Sequence, residues 1–173
     1  MKLDPALAKP IKLLILDVDG VLTDGRIVLD NNGIESKCFH VRDGHGLKML
    51  GRTDVKIGIL TGRESRVVTY RAAELGVEIV HQGAKNKIEV YETILRQVAL
   101  SDQEVAMAGD DIVDLPVMRR VGLAMCPSDA IDEVKAVSHF ISAFAGGHGA
   151  VREMVEVLMK AQGTWETVTA RYF

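Results

Sequence analysis

Two acidic residues lie two positions apart near the start of the chain, in the segment Leu16-Asp17-Val18-Asp19-Gly20. Carboxylates this close cannot neutralise each other, and a divalent cation with oxygen ligands is the usual resolution. No histidine or cysteine accompanies the pair, so magnesium fits better than zinc. Taken alone, the same pattern also fits an ordinary turn, in which an aspartate accepts hydrogen bonds from its own backbone.

Three further polar groups occur later in the chain, and each follows an apolar run. They are Thr61-Gly62-Arg63, residues 83–87 ending at Lys87, and Gly109-Asp110-Asp111 together with Asp114. Each also has a structural interpretation, since Thr61 could cap a helix and Lys87 could be a solvated helix lysine. A carboxylate pair, a hydroxyl, a lysine and a second acid cluster are nevertheless suitable parts for phosphoryl transfer. Their order, each after a separate predicted strand, favours a single phosphoryl-transfer site.

The apolar runs predict the strands that would position these groups. Buried strands are expected at 11–16, 55–60, 77–80, 105–108 and 121–124, with a sixth at 139–141. Helices are expected at 66–75, 87–100 and 150–161. This alternation predicts an α/β fold with a Rossmann-like, doubly wound parallel sheet. In such sheets ligands bind outside the carboxyl ends of the strands, where the polar groups occur.

One stretch breaks the alternation. Residues 26–30 and 34–41 flank Asn31-Asn32-Gly33, and Asn-Gly is a strong signal for a tight hairpin turn. We therefore predict a β-hairpin that projects from the sheet. The hairpin is more apolar than a lone two-stranded ribbon needs, and pairing with copies from other subunits would cover it. Because no inserted cap domain of substantial size is recognisable, residues 1–173 are predicted to form a single domain.

Composition limits the remaining classes of function. A chain of 173 residues with 47% hydrophobic content suits one well-buried domain. The net charge of −3 and a pI near 6.0 provide no general field for nucleic acid, so local cations must hold any anionic substrate. Cys38 and Cys126 lie far apart, which argues against a disulfide framework and fits a reducing cytoplasm, with buried packing as their expected role. Neither a secretion signal nor a membrane span is predicted.

Taken together, the motifs resemble those of the haloacid dehalogenase superfamily of aspartyl-phosphate phosphatases. The matching segments are DVDGVLTDG at 17–25, ILTGR at 59–63, Lys87, and GDDIVD at 109–114. The resemblance implies that Asp17 attacks phosphorus, forming an aspartyl-phosphate, and that Asp19 protonates the leaving alcohol and then deprotonates water. It also implies that Thr61 and Lys87 hold the phosphoryl oxygens.

The same resemblance implies a Mg²⁺ ion that bridges the phosphate and the nucleophile. Its ligands would be the Asp17 carboxylate, the Asp19 backbone carbonyl and Asp110. Asp111 and Asp114 would orient the metal's water molecules or the active-site lysine. An acid at position 19 also distinguishes a phosphatase from the dehalogenases, because an alkoxide leaving group must be protonated.

Within the superfamily, the chain resembles in particular the cap-less, tetrameric 3-deoxy-D-manno-octulosonate 8-phosphate phosphatases of lipopolysaccharide biosynthesis. The resemblance is carried by the hairpin, Val41-Arg42-Asp43-Gly44-His45-Gly46, Thr61-Gly62-Arg63 and residues 145–153. In that family the hairpins of four subunits join in a central barrel, and each subunit helps to cover its neighbour's site. The substrate-binding residues implied are Asp19, His40, Arg42, Asp43, Gly44, Lys48, Arg63, Arg71 and Lys87. Among them, Arg63 suits bidentate recognition of the sugar acid's carboxylate.

Three alternatives are left open. A nine-carbon, sialic-acid-type sugar acid phosphatase is the main competitor, although such enzymes often carry an acid at the position of Arg63. A receiver domain carries its phosphoacceptor after the third strand instead of the first, and a non-catalytic phosphate-binding module would not need the full set of acids. Two features depart from the family pattern: His148 stands where arginine is expected, and residues 163–173 are assigned no chemistry.

Overall fold

A computed structural model describes residues 3–173, so residues 1 and 2 of the predicted domain lie outside the described residues. Six parallel strands form one sheet, and two short antiparallel strands form a hairpin. The strands are β1 Leu13–Leu16, β2 Val28–Leu29, β3 Glu35–Ser36, β4 Lys56–Leu60, β5 Ile79–His81, β6 Val105–Ala108, β7 Leu123–Cys126 and β8 Phe140–Ile141. The α-helices are α1 Pro5–Ala8, α2 Val41–Leu50, α3 Arg66–Leu75, α4 Lys87–Val98, α5 Leu115–Met118, α6 Asp132–Val137, α7 Ala150–Gln162 and α8 Trp165–Thr169.

The sheet has the strand order β5-β4-β1-β6-β7-β8, and every neighbouring pair is parallel. All four residues of β1 are fully buried. Leu14 and Leu16 pack into an apolar core on one face, whereas Leu13 and Ile15 pack into a second core on the other face. A strand covered on both faces needs apolar residues at every position, which explains the unbroken run. The predicted doubly wound α/β fold is confirmed.

Helices cover both faces of this sheet. Residues of α2, α3 and α7 build the first core, and residues of α4, α5 and α6 build the second. Because the strands are parallel, the carboxyl ends of β1, β4 and β6 lie at one edge. The Asp17 N–H donates to the Ala108 carbonyl oxygen at 3.0 Å, so the chain segments that follow β1 and β6 start side by side.

The predicted strands and helices are found within two residues of their expected ends. The strand predicted at 77–80 shows why the ends shift, since it begins only at Ile79. Val77 is apolar, but its N–H donates to the Ala72 carbonyl oxygen at 2.9 Å and closes α3. A helix end can thus take backbone groups that apolar spacing assigns to the next strand.

The predicted hairpin is present but shorter than expected. β2 and β3 have two residues each and pair antiparallel. The Asp30 carboxylate closes the turn by accepting hydrogen bonds from the N–H groups of Asn32 and Ile34, both at 2.8 Å. The expectation that the second arm runs on to residue 41 is wrong, because Val41 is the first residue of α2. The exposed apolar residues of the hairpin are Ile27, Val28, Leu29 and Ile34.

Helix α2 was not predicted from the sequence, because it contains two glycines. Gly44 and Gly46 lie inside the helix, where glycine costs roughly 0.5–1 kcal/mol relative to alanine. Gly46 packs closely on α7, since a Cβ there would lie 3.1 Å from Arg152 Cδ. Packing between helices therefore stabilises α2 against its weak local propensity.

The structure also tests the expectations for the two cysteines and describes the C-terminal segment. Cys126 is buried as expected, but Cys38 is exposed, so the expectation of buried packing is wrong for it. The segment after Gly163 forms α8, and Val168 is buried against the first core. Among residues 3–173, no helix combines the length and apolar character needed to cross a membrane.

Candidate active site

Asp17 is the first residue after β1, at the carboxyl edge of the sheet. Its Oδ1 accepts a hydrogen bond from the Val18 N–H at 2.7 Å, and its Oδ2 lies 2.9 Å from Lys87 Nζ. Burial, reinforced by the Asp114 charge and opposed by Lys87, raises the pKa of Asp17 to about 6. The carboxyl group is therefore mostly ionised at neutral pH and held in place, as a nucleophile requires.

Lys87 is the first residue of α4 and is buried between two carboxylates. Its Nζ donates to Asp114 Oδ1 at 2.7 Å and lies 2.9 Å from Asp17 Oδ2. Burial works against the positive charge, but Asp17 and Asp114 outweigh it and raise the pKa of Lys87. A buried ammonium group is tolerated when it is paired in this way. Lys87 thus places a fixed positive charge beside Asp17.

Asp114 organises the loop that follows β6. Its Oδ2 accepts hydrogen bonds from the N–H groups of Asp110 at 3.1 Å and Asp111 at 3.3 Å, while its Oδ1 accepts from Lys87. Asp111 itself is exposed, and its Oδ1 accepts from the Ile112 N–H at 2.7 Å. Both oxygens of Asp114 are therefore already engaged within the protein.

Asp110 has a buried oxygen, Oδ1, with no hydrogen-bond partner among the described residues. The carboxylates of Asp110, Asp17 and Asp114 offer oxygens that lie within 4.8 Å of one another. Burial, with repulsion from Asp17 and Asp114, raises the pKa of Asp110 to about 8. A cluster of carboxylates with an unpaired buried oxygen fits a hard cation such as Mg²⁺. Asp114 already accepts three hydrogen bonds, whereas Asp17 accepts one from a backbone N–H and pairs with Lys87, so Asp110 and Asp17 are the carboxylates better suited to bind it.

Close backbone contacts hold the loop after β1 against Asp110. A Cβ on Gly20 would lie 2.0 Å from Asp110 Oδ2, and Gly20 has a φ of +92°. On its other side, a Cβ on Gly146 would lie 1.8 Å from the Gly20 carbonyl oxygen. His148 Nδ1 lies 2.7 Å from the Gly146 carbonyl oxygen, so this ring is engaged within its own turn. The segment that carries Asp19 is thus fixed between the acid cluster and the glycine turn.

Asp19 is in contact with the hairpin. Lys37 Nζ donates to Asp19 Oδ1, and Arg63 Nε lies 3.7 Å from Asp19 Oδ2. Oδ2 is buried and has no hydrogen-bond partner in the described part of the chain. Arg63 also donates to Glu35 Oε1 at 2.7 Å. Sequence reasoning missed Glu35 and Lys37; their spacing of two, which places both on one face of an extended segment, was the available signal.

Thr61 lies directly after β4 and is 2% exposed. Its N–H donates to the His81 carbonyl oxygen, and its own carbonyl oxygen accepts from the Ala84 N–H, both at 3.0 Å. These bonds fix the backbone of Thr61 at the edge where Asp17 lies. The structure therefore brings the four predicted motif groups to one edge of the sheet.

Asp43, predicted to bind substrate, is committed to the start of α7. Its Oδ2 accepts from the Gly149 N–H at 3.2 Å and its Oδ1 from the Arg152 N–H at 2.7 Å. Burial raises the pKa of Asp43 in spite of these hydrogen bonds. His40 Nδ1 lies 3.8 Å from Asp43 Oδ2. The contacts of Asp43 are those of a helix cap, and substrate contact stays a prediction.

The rest of the predicted substrate set consists of Arg42, Gly44, Lys48 and Arg71. Arg71 donates to Glu74 Oε2 at 2.7 Å, and its guanidinium lies over the Phe39 ring, 5.6 Å from the centroid. Within residues 3–173, none of the four forms an ion pair or side-chain hydrogen bond with Asp17 or Asp19. Arg63 is thus the member of the set that the structure brings to the proposed acid.

Fold and site together define a class of protein. A parallel sheet whose edge carries a buried aspartate paired with lysine, a threonine and a carboxylate cluster is suited to metal-dependent phosphoryl transfer. Comparison with known proteins agrees, because residues 40–122 match the family model of haloacid dehalogenase-like hydrolases.

Comparison with individual relatives identifies a more specific family within these hydrolases. The 3-deoxy-D-manno-octulosonate 8-phosphate phosphatase KdsC of Escherichia coli is 44% identical over 158 residues, which are 91% of this chain and 84% of that protein. KdsC of Yersinia pestis is 40% identical over 162 residues, 94% of this chain and 87% of that protein. The crystal structure of the Moraxella catarrhalis phosphatase in complex with magnesium ion, phosphate ion and KDO has a TM-score of 0.95 at 36% identity, covering 98% of this chain and 97% of that chain. The chain belongs to the haloacid dehalogenase-like hydrolases and, within them, to the 3-deoxy-D-manno-octulosonate 8-phosphate phosphatase family.

Proposed function

We propose that the protein hydrolyses 3-deoxy-D-manno-octulosonate 8-phosphate to the free sugar acid and phosphate, with Mg²⁺ and through an aspartyl-phosphate on Asp17. One observation carries the chemistry. Asp17 is buried, pairs with Lys87 and lies close to Asp110, and two residues later Asp19 has an oxygen, Oδ2, without a hydrogen-bond partner in residues 3–173. Membership of the phosphatase family supports the identity of the substrate.

The first step is the transfer of the phosphoryl group to the protein. An oxygen of Asp17 attacks phosphorus, and the bond from phosphorus to the sugar oxygen breaks. Asp19 gives its proton to that leaving oxygen through Oδ2, which accepts no hydrogen bond from the part of the chain that the structure describes. Lys87 keeps Asp17 oriented, and Lys87 and Thr61 hold the phosphoryl oxygens while charge redistributes.

The second step restores the enzyme. Asp19, now ionised, takes a proton from a water molecule, and the water oxygen attacks the phosphorus of the aspartyl-phosphate. The bond between phosphorus and the Asp17 oxygen breaks, so that inorganic phosphate leaves and the carboxylate returns. The same side chain thus serves as acid and then as base, and no further group is required for the proton balance.

Magnesium fits the donor set described above. Bound by the carboxylates of Asp17 and Asp110 and by the Asp19 backbone carbonyl, Mg²⁺ would supply positive charge that offsets the charge of the phosphoryl group. Asp114 orients the surroundings by holding Lys87 and the Asp110 backbone N–H. Asp111, which is exposed, is a candidate to orient the metal's water molecules.

Recognition of the sugar acid is proposed to involve Arg63. Its guanidinium lies 3.7 Å from Asp19, and 44% of its side chain is exposed, so it can pair with the substrate's carboxylate. The eight-carbon substrate is favoured over a nine-carbon one by Arg63 and by the relatives, whose names specify the eight-carbon phosphate. His40, Arg42, Asp43, Gly44, Lys48 and Arg71 stay predicted contributors to this side of the site.

We further propose a cytoplasmic homotetramer that acts in lipopolysaccharide biosynthesis. Support comes from the hairpin, where Ile27 and Leu29 are each 58% exposed and Ile34 is 63% exposed. Apolar side chains exposed together on a short hairpin favour burial against other copies. Light scattering of the purified protein would measure its mass, and a stable monomer would count against the hairpin assembly.

A substrate panel tests the proposed function. Purified protein with Mg²⁺ should release phosphate from 3-deoxy-D-manno-octulosonate 8-phosphate much faster than from a nine-carbon sugar acid 9-phosphate or glucose 6-phosphate. Asp17→Asn should abolish turnover because an amide is not a nucleophile, whereas Asp132→Asn, at a fully exposed acid, should have no effect. Equal rates across the panel would refute the substrate assignment, and an active Asp17→Asn variant would refute the mechanism.

A further inference from the structure

Lys37 is a buried lysine on a hairpin that is otherwise largely exposed. Only 1% of its side chain is accessible. A lysine so placed loses its hydration, which is tolerated when carboxylates replace the lost water. Lys37 has two such partners: Asp19 Oδ1, to which Nζ donates, and Glu35 Oε1 at 3.4 Å.

When Asp19 is ionised, as it is between the two steps of the reaction, Lys37 belongs to a cluster of four charges whose sum is zero. Arg63 donates to Glu35 Oε1 at 2.7 Å and lies 3.7 Å from Asp19 Oδ2. Two cations and two anions therefore alternate between the hairpin, the loop after β1 and the loop after β4. Removing one member would leave its partners with uncompensated charge, so the cluster fixes the relative positions of these three segments.

The two oxygens of Asp19 have different surroundings. Oδ1 is bonded to Lys37, whereas Oδ2 is buried and has no hydrogen-bond partner among the described residues. A carboxyl group anchored by one oxygen cannot rotate freely, and its other oxygen keeps a defined position. General acid catalysis needs that arrangement, because the proton must be delivered along a short path to the leaving oxygen.

We infer that Lys37 is a positioning residue, which holds Asp19 by Oδ1 so that Oδ2 serves the proton transfers to the leaving alcohol and from the attacking water. This inference rests on the proposed function, in which Asp19 is the acid and base. It gives the hairpin a part in catalysis within its own chain. Lys37 itself exchanges no proton with the substrate and does not touch it.

Substrates with different leaving groups should depend on Asp19 to different degrees. A sugar phosphate leaves as an alkoxide and needs a proton, whereas p-nitrophenyl phosphate releases a stabilised phenolate that departs without one. Both react through the same attack by Asp17. A variant in which Asp19 is misplaced should therefore lose rate on the sugar phosphate and keep much of its rate of aspartyl-phosphate formation from the aryl phosphate.

The experiment compares wild type with Lys37→Met, Lys37→Arg and the control Lys12→Met. Lys12 also forms an ion pair, 2.6 Å from Glu104, but it precedes β1 at the opposite end of the sheet. Rapid mixing with Mg²⁺ gives the first-turnover rate for p-nitrophenyl phosphate and for the best sugar phosphate of the panel, on the same protein sample. The aryl phosphate thereby reports the fraction of protein that is folded and competent.

Lys37→Met is expected to lower the sugar phosphate rate by about tenfold to a hundredfold, part of the usual contribution of a general acid, and the aryl phosphate rate by much less. Lys37→Arg, which keeps the charge and the donors, should recover a large part of the loss, and Lys12→Met should match wild type. An equal loss on both substrates, or no loss on either, would overturn the proposal.

Two other measurements, the substrate preference of wild type and the rates of Asp19→Asn, show whether the proposed function itself fails. If wild type prefers a sugar phosphate other than the eight-carbon sugar acid, the substrate assignment fails. The leaving-group ratio, which is the first-turnover rate for the sugar phosphate divided by that for p-nitrophenyl phosphate, can then be measured with the preferred substrate and still tests the role of Lys37. If Asp19→Asn leaves the leaving-group ratio at the wild-type value, Asp19 is not the acid, and the inference on Lys37 falls with it.

Discussion

Gly20→Ala tests whether contact of the backbone with Asp110 positions the metal ligands. The new Cβ would lie 2.0 Å from Asp110 Oδ2, whereas ordinary contact begins at 3.4 Å, so the carboxylate must retreat by about 1.4 Å. The loop itself cannot yield easily, because Gly146 packs against the Gly20 carbonyl oxygen on its other side. The displacement therefore falls on Asp110.

The size of the effect follows from that displacement. Mg²⁺ binds oxygen at about 2.0–2.1 Å in near-ideal octahedral geometry, so a ligand displaced by more than 1 Å is largely lost. A misplacement of about 1 Å can lower the rate by about a hundredfold. We expect kcat/KM of Gly20→Ala to fall by about that factor or more, with a higher concentration of Mg²⁺ needed for half-maximal activity.

A matched control separates crowding from backbone strain. Gly76 has a φ of +75°, and apart from Gly76 and its chain neighbours no heavy atom of the described residues lies within 4 Å of the position that a Cβ would take. Gly76→Ala should therefore cost only the left-handed strain, about 1–2 kcal/mol of the free energy of unfolding, with kcat/KM nearly unchanged. Thermal melts and Mg²⁺ titrations of both variants give the comparison. If Gly20→Ala retained the activity and the Mg²⁺ requirement of Gly76→Ala, the argument from the Asp110 contact would be wrong.

Three further predictions concern protons, helix capping and assembly. Because the pKa of Asp110 is raised to about 8, the Asp110 carboxyl group keeps its proton near neutral pH in the metal-free protein. The folded protein therefore binds this proton more tightly than the unfolded chain, and its free energy of unfolding should fall as the pH rises from 3.8 towards 8. The affinity for Mg²⁺ should rise over the same range, because the ion binds the deprotonated carboxylate. Calorimetry in buffers of different ionisation enthalpy would detect the released proton, and pH-independent binding would contradict this expectation. Asp43→Ala should lower the free energy of unfolding by about 1–3 kcal/mol, since two backbone N–H groups at the start of α7 lose their acceptor, and chemical denaturation that leaves its midpoint unchanged would refute the capping role. Ile34→Lys should shift the protein towards smaller assemblies in light scattering, whereas an unchanged mass would exclude the exposed hairpin face from the interface.

The spacing of apolar residues was sufficient to predict the strands that position the proposed site residues. The unbroken run of β1 predicts a strand buried on both faces, and the rule for parallel sheets then places Asp17 at the carboxyl edge. The same reasoning predicts that Thr61, Lys87 and Asp110 meet there. These inferences succeed because the alternation of strands and helices dictates which chain segments share an edge.

Elements whose stability comes from distant contacts were less predictable. Helix α2 contains two glycines and owes its formation to packing against α7, so its local sequence gives little sign of it. The hairpin arms are shorter than apolar spacing suggests, because an isolated ribbon has few partners to extend it. Asp43 looked like part of a substrate segment, yet its oxygens accept hydrogen bonds from residues 106 and 109 positions further along the chain.

The sequence by itself determined the fold class and the order of the motifs, since these depend on periodicity and on residue type at strand ends. The role of Asp17 as nucleophile is implied by the family resemblance of those motifs and stays a proposal. Only the tertiary structure decided how each carboxylate is used. It engages both oxygens of Asp114, gives Asp110 Oδ1 no hydrogen-bond partner within residues 3–173, and brings Lys37 from the hairpin to Asp19. Burial and hydrogen-bond partners depend on how distant segments pack, and no local pattern specifies them.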